Sequence, residues 1–146
     1  IYYNSVGNNS LMLLNIPPDK NGLFVKKDVK RLQEMGFWLK REEELMISNC
    51  ETELSDGGFT VTVKFPRQSV DRIHLAEDTT KSQRVERFSI YAEGKKVFSG
   101  TVIGFSRIAV FEPVETDTLT VKIEQCRKEP YINKALPVAT GAYRVK

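Results

Sequence analysis

The feature that most constrains the fold is an apolar run in NSLMLLNIPPDKNGL, residues 9–23. The run does not alternate with polar residues, and Pro17 and Pro18 end it. It therefore predicts a strand that is buried on both faces, as in parallel sheets covered by helices. One such strand alone would leave backbone N–H and C=O groups unpaired at both edges. We expect residues 10–16 either to dock on another segment or to end a sheet whose other strands lie outside this chain.

An amphipathic helix is predicted directly after this run. The intervening PPDKNG is a turn, because proline interrupts strand pairing and Asn21–Gly22 supplies turn conformations. Trp38 is interpreted as a packing residue of the helix in preference to a platform for a ligand. The apolar stripe of the helix recurs at spacings of four and three residues, at Val25, Val29, Leu32, Gly36 and Leu39.

From about residue 59 onward the chain alternates between apolar and polar residues, as in FTVTVKF at 59–65. Short alternating segments separated by turn residues are typical of an antiparallel sandwich or barrel. Residues 45–58 are interpreted as a junction between this region and the helix. Seven strands are predicted, near 59–65, 70–77, 85–93, 95–103, 106–112, 118–125 and 137–145.

Composition limits the function classes. The 146 residues carry a net charge of +3, 40% are hydrophobic and 28% are charged, which is typical of a globular domain. The basic residues are spread along the chain, so we expect no nucleic-acid partner. No 18-residue apolar segment occurs, so we expect no membrane partner. The chain begins at Ile1 without a signal peptide, and we interpret it as part of a longer protein.

Cysteine and histidine are too few for a structural zinc site. The chain has two cysteines, Cys50 and Cys126, and one histidine, His74, with no Cys-x-x-Cys motif. We therefore predict no metal. A disulfide between the two cysteines is left open. His74 is interpreted as a surface or inter-sheet residue of its strand.

Residues 2–36, YYNSVGNNSLMLLNIPPDKNGLFVKKDVKRLQEMG, resemble the last strand and helix of the catalytic barrel in α-L-fucosidases of glycoside hydrolase family 29. Further on, GTVIGFSRIAVF at 100–111 is similar to the galactose-binding-like sandwich that follows the barrel in that family. The residues that carry the first likeness are Val6 to Asn9, Leu14, Asn15, Pro17 to Asp19, Gly22, Leu23 and Asp28 to Leu32.

The resemblance implies a mainly β fold. An antiparallel β-sandwich of galactose-binding-like, jelly-roll type would occupy residues 46–146. One strand and one helix that close a (β/α)8 barrel would occupy residues 1–45. The barrel's missing strands would come from an upstream catalytic segment, which is therefore the expected protein partner.

The resemblance also implies a function for the complete protein. It would be a retaining exo-glycosidase that hydrolyses terminal α-L-fucosyl linkages of an oligosaccharide or glycan, without a cofactor. This chain would complete and brace the barrel. A periplasmic or secreted location is expected. In this family the nucleophilic Asp and the acid/base Glu precede the part that this chain resembles, so we assign no catalytic residue here and expect the chain alone to be inactive.

Asn15 is the predicted rim residue of the substrate pocket. By this resemblance it leaves the eighth barrel strand at its C-terminal end, where active sites of (β/α)8 barrels lie, whereas Asn8, Asn9 and Ser10 enter at the opposite end. The alternative is that the Asn15 amide only caps the loop that follows the strand.

Two other functions stay open at this point. The sandwich could be a non-catalytic carbohydrate-binding module, or a structural docking domain without a ligand. The segment Ser82 to Arg84 has residue types that bind sugar hydroxyls, but it could equally hold the sandwich together or dock it on the barrel. The single tryptophan lies on the predicted helix and not in the sandwich, which favours the structural role.

Overall fold

A computed structural model describes residues 1–141 and consists mainly of antiparallel β-structure. A short helix, α1, precedes the long helix α2. Two single 3₁₀ turns occur at Asp56–Gly58 and Thr79–Lys81. The regular elements of the described residues are α1 (Tyr2–Ser5), α2 (Lys26–Glu44), β1 (Glu51–Ser55), β2 (Thr60–Glu77), β3 (Val85–Ala92), β4 (Lys95–Gly100), β5 (Arg107–Cys126) and β6 (Ile132–Ala139).

The two long strands β2 and β5 organise the sheet, whose order is β1-β2-β5-β3-β4 with β6 also paired to β2. The first half of β2 pairs with β1, and its second half pairs with β6. Every pairing between these strands is antiparallel. The β2–β5 register shifts between Lys64 and Gln68 and again between Val70 and Arg72. Such irregularities bend strands, so the two halves of each long strand lie in different parts of the fold.

One contiguous apolar core connects both halves of the long strands. Phe88 and Ile90 of β3 are fully buried within it. Val61 of β2 lies opposite Val121 of β5, and Ile73 of β2 lies opposite Ala109 of β5. The alternation read from the sequence therefore packs on a single core. The predicted mainly β, antiparallel fold is confirmed.

The predicted strand boundaries need three corrections. The breaks predicted between the strands at 59–65 and 70–77 and between those at 106–112 and 118–125 are wrong, because β2 and β5 run through Pro66 and Pro113, and the ladder shifts register around them. Proline has no N–H to donate, so it interrupts a ladder without ending the chain's extended course. Strand β1 lies in the predicted junction. Residues 142–145 of the last predicted strand lie outside the described residues, whereas 137–139 belong to β6.

Residues 10–16 form no strand in this chain. The prediction placed their partner strands outside the chain, so their strand stays a prediction for the complete protein. The predicted helix is present and extends further than its apolar stripe, to Glu44. Among the described residues, no helix has the length and apolar character that a bilayer crossing requires.

The N-terminal 45 residues contact the sheet near both of their ends. A bridge joins Asn8 to Arg107 at the start of β5, and a second bridge joins Met46, just after α2, to Val138 of β6. Both are antiparallel single-residue pairings. These contacts place the end of α2 against the second half of β2, which carries the polar cluster described next.

Candidate functional site

A buried polar cluster joins α2 to the sheet. Glu42 accepts hydrogen bonds from Arg72 through both of its carboxylate oxygens, at 2.7 Å from Nε and 2.6 Å from Nη2. His74 Nε2 lies 3.2 Å from one oxygen, and the Tyr3 hydroxyl donates to the other at 3.1 Å. Asp71 forms a further ion pair with Arg72. The carboxylate is thus fully occupied by its own partners and has no free lone pair for a substrate.

The strand pattern explains how the cluster assembles. Arg72 and His74 are two residues apart in β2 and therefore project from the same face. That face is opposite to the one that carries Ile73 into the apolar core. Glu42 lies in the last turn of α2 and retains only 3% of its accessible surface. A two-point Arg–carboxylate contact fixes orientation as well as distance, so it sets how α2 lies on the sheet.

The environment of Glu42 keeps its carboxyl group ionised. Burial acts to raise its pKa, but hydrogen bonds from His74 and Arg72 and the positive charge of Arg72 outweigh burial and lower the pKa to about 2. At Tyr3 the effect of burial prevails and raises the pKa well above that of a free phenol. The nearby Glu42 carboxylate adds to this rise. The cluster therefore contains a stable anion and a neutral phenol at neutral pH.

An aromatic cluster of Tyr2, Tyr3 and Trp38 adjoins the polar cluster at Tyr3. Trp38 meets Tyr2 and Tyr3 edge-on, with ring centroids 5.2 Å and 5.4 Å apart. The interpretation of Trp38 as a packing residue agrees with these contacts. An apolar cavity of about 260 Å³ opens beside the three rings, with Met12, Leu14 and Met35 among its lining residues.

The predicted strand entrance at Asn8 and Asn9 is bound by the sandwich. Asn9 Oδ1 accepts from the Phe105 N–H at 2.8 Å, and Asn9 Nδ2 donates to Gln83 Oε1 at 3.0 Å. A side chain on Gly104 would collide with Asn9, so the close approach requires glycine there. The contact of Gln83 with Asn9 favours the docking role for the segment Ser82 to Arg84.

A buried carboxylate holds the loops that bind Asn9. Glu77 Oε1 accepts from the backbone N–H groups of Arg84 and Val85 at 2.8 Å and 3.0 Å, and its Oε2 accepts from Gly104 N–H at 2.7 Å. Because three backbone donors converge on one side chain, the two loops keep a fixed separation. Glu77 thus supports the contact that Asn9 makes.

Asn15, the predicted rim residue, is exposed and lines a surface cavity of about 330 Å³ together with Asp28 and Arg31. The following loop is held by Asp19, whose Oδ1 accepts from the N–H groups of Asn21 and Leu23. Within residues 1–141 the side chain of Asn15 forms no hydrogen bond, so it does not act as the loop cap. Its role at a substrate pocket stays a prediction.

Large apolar side chains of the N-terminal 45 residues are exposed. Leu11 and Leu13 retain 89% and 94% of their accessible surface, and the helix exposes Phe37. Leu14, Leu23 and Phe24 add to this surface. A group of exposed large apolar side chains within 45 residues is typical of an interaction site.

The described residues contain no ready metal site. Across residues 1–141, no three His, Cys, Asp or Glu side chains come together in a way that could hold an ion. Cys50 and Cys126 are both half-buried free thiols. Burial raises the pKa of Cys126, so this thiol has little tendency to ionise.

Sequence reasoning missed Glu42, Arg72 and Glu77 as organising residues. One signal was available in VDRIHLAE at 70–77, where charged or polar residues occupy both faces of a strand whose apolar members belong to the core. A strand of that kind must be covered on its second face by polar partners. The partner could not be read from the sequence, because Glu42 lies among four acidic and basic residues at the end of α2.

Comparison with known proteins agrees with the predicted resemblance. The sequence model of the α-L-fucosidase family matches residues 2–44. Alpha-L-fucosidase 1 of Arabidopsis thaliana is 26% identical over an alignment that covers 91% of this chain and 34% of that protein. The chain therefore spans about a third of the length of this curated relative.

Solved structures extend the likeness to nearly the whole chain. A glycoside hydrolase 29 family member from an unknown rumen bacterium has a TM-score of 0.80 and 26% identity, covering 99% of this chain and 28% of its own. A family 29 fucosidase of Ruminococcus gnavus, crystallised with fucose, shares the fold with a TM-score of 0.82 at 18% identity, over 97% of this chain and 36% of its own. The matches confirm the resemblance and are consistent with a C-terminal portion of a family 29 α-L-fucosidase.

Removing the charge of Glu42 should strongly destabilise the chain. The substitution Glu42→Gln leaves Arg72 buried without its main anion, which costs about 3 kcal/mol or more. The matched control is Glu44→Gln, because Glu44 pairs with Arg41 at the surface and such pairs contribute at most about 1 kcal/mol. Urea unfolding of both variants measures the difference. Equal losses would contradict an anchoring role for Glu42.

Acid should weaken the same contact. The pKa of Glu42 is lower in the folded chain, about 2, than its ordinary value of 4.5. Its contribution to stability is therefore complete above about pH 4.5 and is lost as the pH falls towards 2. We expect the difference in unfolding free energy between the native chain and Glu42→Gln to shrink over this range. A difference that stays constant with pH in urea titrations would contradict the assignment.

Proposed function

We propose that this chain is the C-terminal portion of a retaining α-L-fucosidase of glycoside hydrolase family 29. In this proposal residues 1–45 supply the last strand and helix of the catalytic barrel, and residues 46–146 form a sandwich that braces the barrel. The match of the family model to residues 2–44 supports the assignment of this segment. The likeness of the whole chain to a family 29 structure supports the joint arrangement.

The exposed leucines carry the proposal. Leu11 and Leu13 have one parity and Met12 and Leu14 the other, and none of the four is buried in this chain. A strand of a (β/α)8 barrel faces packed side chains on one side and helices on the other, so apolar residues of both parities suit it. A surface loop would gain nothing from such residues, whereas a strand that pairs with upstream segments would bury them all.

The buried polar cluster supports the bracing role. The two-point contact between Glu42 and Arg72 holds the end of α2 on the sheet, while the Asn9 contact holds the opposite end of the family-matched segment. The sandwich therefore contacts the proposed barrel unit at two places. Between these two places, Leu11, Leu13 and Phe37 are exposed and therefore available to the rest of a barrel.

In the proposed reaction, the chemistry belongs to a part of the protein that this chain does not contain. A retaining glycosidase uses one carboxylate as nucleophile and a second carboxyl group as acid and then base, about 5 Å apart. The buried carboxylates Glu42 and Glu77 are occupied by Arg72 and by backbone N–H groups. We therefore propose that this chain positions the barrel and takes no chemical step. The proposed substrate of the intact protein is a glycan with a terminal α-L-fucosyl unit.

The family resemblance also underlies two narrower proposals. Asn15 would lie at the rim of the substrate pocket, because it leaves the proposed last barrel strand at its C-terminal end. The intact protein would be periplasmic or secreted. Neither proposal changes the bracing role of the sandwich.

Activity separates the chain from the intact protein. The intact protein should hydrolyse an aryl α-L-fucoside with retention at the anomeric carbon, whereas purified residues 1–146 should show no turnover above buffer. Release of the aryl group follows the rate, and proton NMR of the first product reports its anomer. An inactive intact protein would refute the fucosidase proposal, and activity in residues 1–146 would refute the division of labour.

Stability provides the second test. In residues 1–146, Leu13→Asp should change the unfolding free energy by no more than about 0.5 kcal/mol, because Leu13 is exposed. In the intact protein the same substitution should cost several kcal/mol, because an unpaired carboxylate would be buried in the barrel. Thermal melts of both proteins measure this. Leu14→Asp tests the opposite parity, and a small effect of either substitution in the intact protein would contradict a strand buried on both faces.

A further inference from the structure

A polar cavity on the outer face of the sheet takes no part in the contacts described above. It lies between the end of β3 and the middle of β5 and has a volume of about 410 Å³. This is within the range of roughly 300–1,000 Å³ that is usual for small-ligand sites. None of its lining residues belongs to residues 1–45. The lining residues are Tyr91, Glu93, Gly94, Thr116, Asp117, Thr118, Thr120 and Lys122.

Strand register brings an aromatic ring and hydroxyl groups together in this cavity. Tyr91 of β3 lies directly opposite Thr120 of β5, so both project from the same face. Thr118 is two residues from Thr120 and shares that face. The three side chains are half-buried, and within the described residues neither the Tyr91 hydroxyl nor the Thr120 hydroxyl has a hydrogen-bond partner. Both groups are therefore available to a ligand.

Two carboxylates at one rim are held in place by a neighbouring arginine. Arg67 Nη1 lies 3.0 Å from Glu93 Oε1 and 3.9 Å from Asp117 Oδ2. Asp117 also accepts from the Thr118 hydroxyl at 2.9 Å. A carboxylate has about four acceptor positions, so each retains capacity for further donors. Carboxylate acceptors of this kind suit a ligand that carries several hydroxyl groups.

Lys122 completes the lining, and Lys96 lies beside the Tyr91 ring without lining the cavity. The ammonium groups of Lys122 and Lys96 lie 5.2 Å and 5.8 Å from the centroid of the Tyr91 ring. Both side chains are exposed and flexible, so they can turn aside from the ring and donate to a ligand. Arg67 and Lys122 balance the carboxylates Glu93 and Asp117, and Lys96 is paired with Glu124. The cavity thus has no net sign that would select an anion or a cation.

We propose that this cavity binds one sugar ring of a neutral saccharide. The Tyr91 ring would pack against the C–H face of the sugar, because the negative face of an aromatic ring favours such contacts. Thr120, Lys122 and the carboxylates of Glu93 and Asp117 would bind its hydroxyl groups. This site goes beyond the proposed hydrolysis and gives the sheet a contact with glycan at a second place.

The test is binding of defined saccharides to residues 1–146, observed by NMR. Threonine methyl signals and the Tyr91 ring signals are followed during titration with L-fucose, D-galactose and 2′-fucosyllactose. At least one sugar should shift the Thr118, Thr120 and Tyr91 signals along a saturable curve. Tyr91→Ala should weaken this binding by about tenfold, the usual effect of truncating a central aromatic contact. Tyr131→Ala is the matched control at the other end of the sheet and should bind as the native chain does.

Three results would overturn the site. They are the absence of shifts at saturating sugar, equal affinity of Tyr91→Ala and the native chain, and equal shifts caused by sodium sulfate, which would indicate simple charge binding at the lysines. Tyr91→Phe, which keeps the ring, guards against misfolding and should retain most of the affinity. Because the readout is binding and not hydrolysis, an inactive intact protein would leave this site standing, and an empty cavity would leave the fucosidase proposal standing.

Discussion

The contact between Glu42 and Arg72 is the interaction on which the arrangement of this chain depends. A buried carboxylate or guanidinium is costly by itself, and each becomes acceptable only when the other is in place. Both side chains are almost fully buried, so the end of α2 cannot leave the sheet without exposing or stranding two charges. An apolar contact could slide by a residue at little cost, whereas this contact has one geometry. The contact therefore fixes both the position and the orientation of the helix end on the sheet.

The rest of the N-terminal region differs sharply from this anchored end. Beyond the cluster and the aromatic contact of Trp38, the helix exposes Phe37, and the preceding segment exposes Leu11 and Leu13. In a domain that folds independently, we expect such side chains to be buried. A second body that covered the apolar side would remove this contrast between a buried polar contact and exposed apolar residues. In the proposed enzyme that body is the remainder of the barrel.

The sequence predicted the parts of this fold that depend on local pattern. Alternation in FTVTVKF placed Val61 and Val63 in the core, and the stripe along α2 placed the helix. Strand β1 was missed because all of its residues, Glu51–Ser55, are exposed, so no periodic burial marks it in the sequence. The continuous course of β2 and β5 was missed because Pro66 and Pro113 read as turns, although a bulge accommodates each of them.

The polar cluster was not predictable in the same way. Arg72 and Glu42 are 30 residues apart, and several acidic residues near the end of α2 could have filled the position. Pairing between distant charges depends on how elements pack, which periodicity does not record. The cavity at Tyr91 was not predictable for the same reason, because only the β3–β5 register brings Tyr91 beside Thr120. Both features belong to tertiary structure, and the local sequence gives at most a hint of each.

The two anchors at Asn9 and Glu42 have a consequence for assembly. They fix the ends of the segment 10–41, so its middle is a closed loop and no longer a free arm. Closing a loop costs conformational entropy, and this cost rises only slowly with loop length. In this chain the contacts with the folded sandwich already hold the two ends of the loop. A barrel that receives its last strand from this loop must order residues whose ends are already in position. In the proposed enzyme the sandwich would therefore act as a template that limits the conformations the last strand has to sample before it pairs.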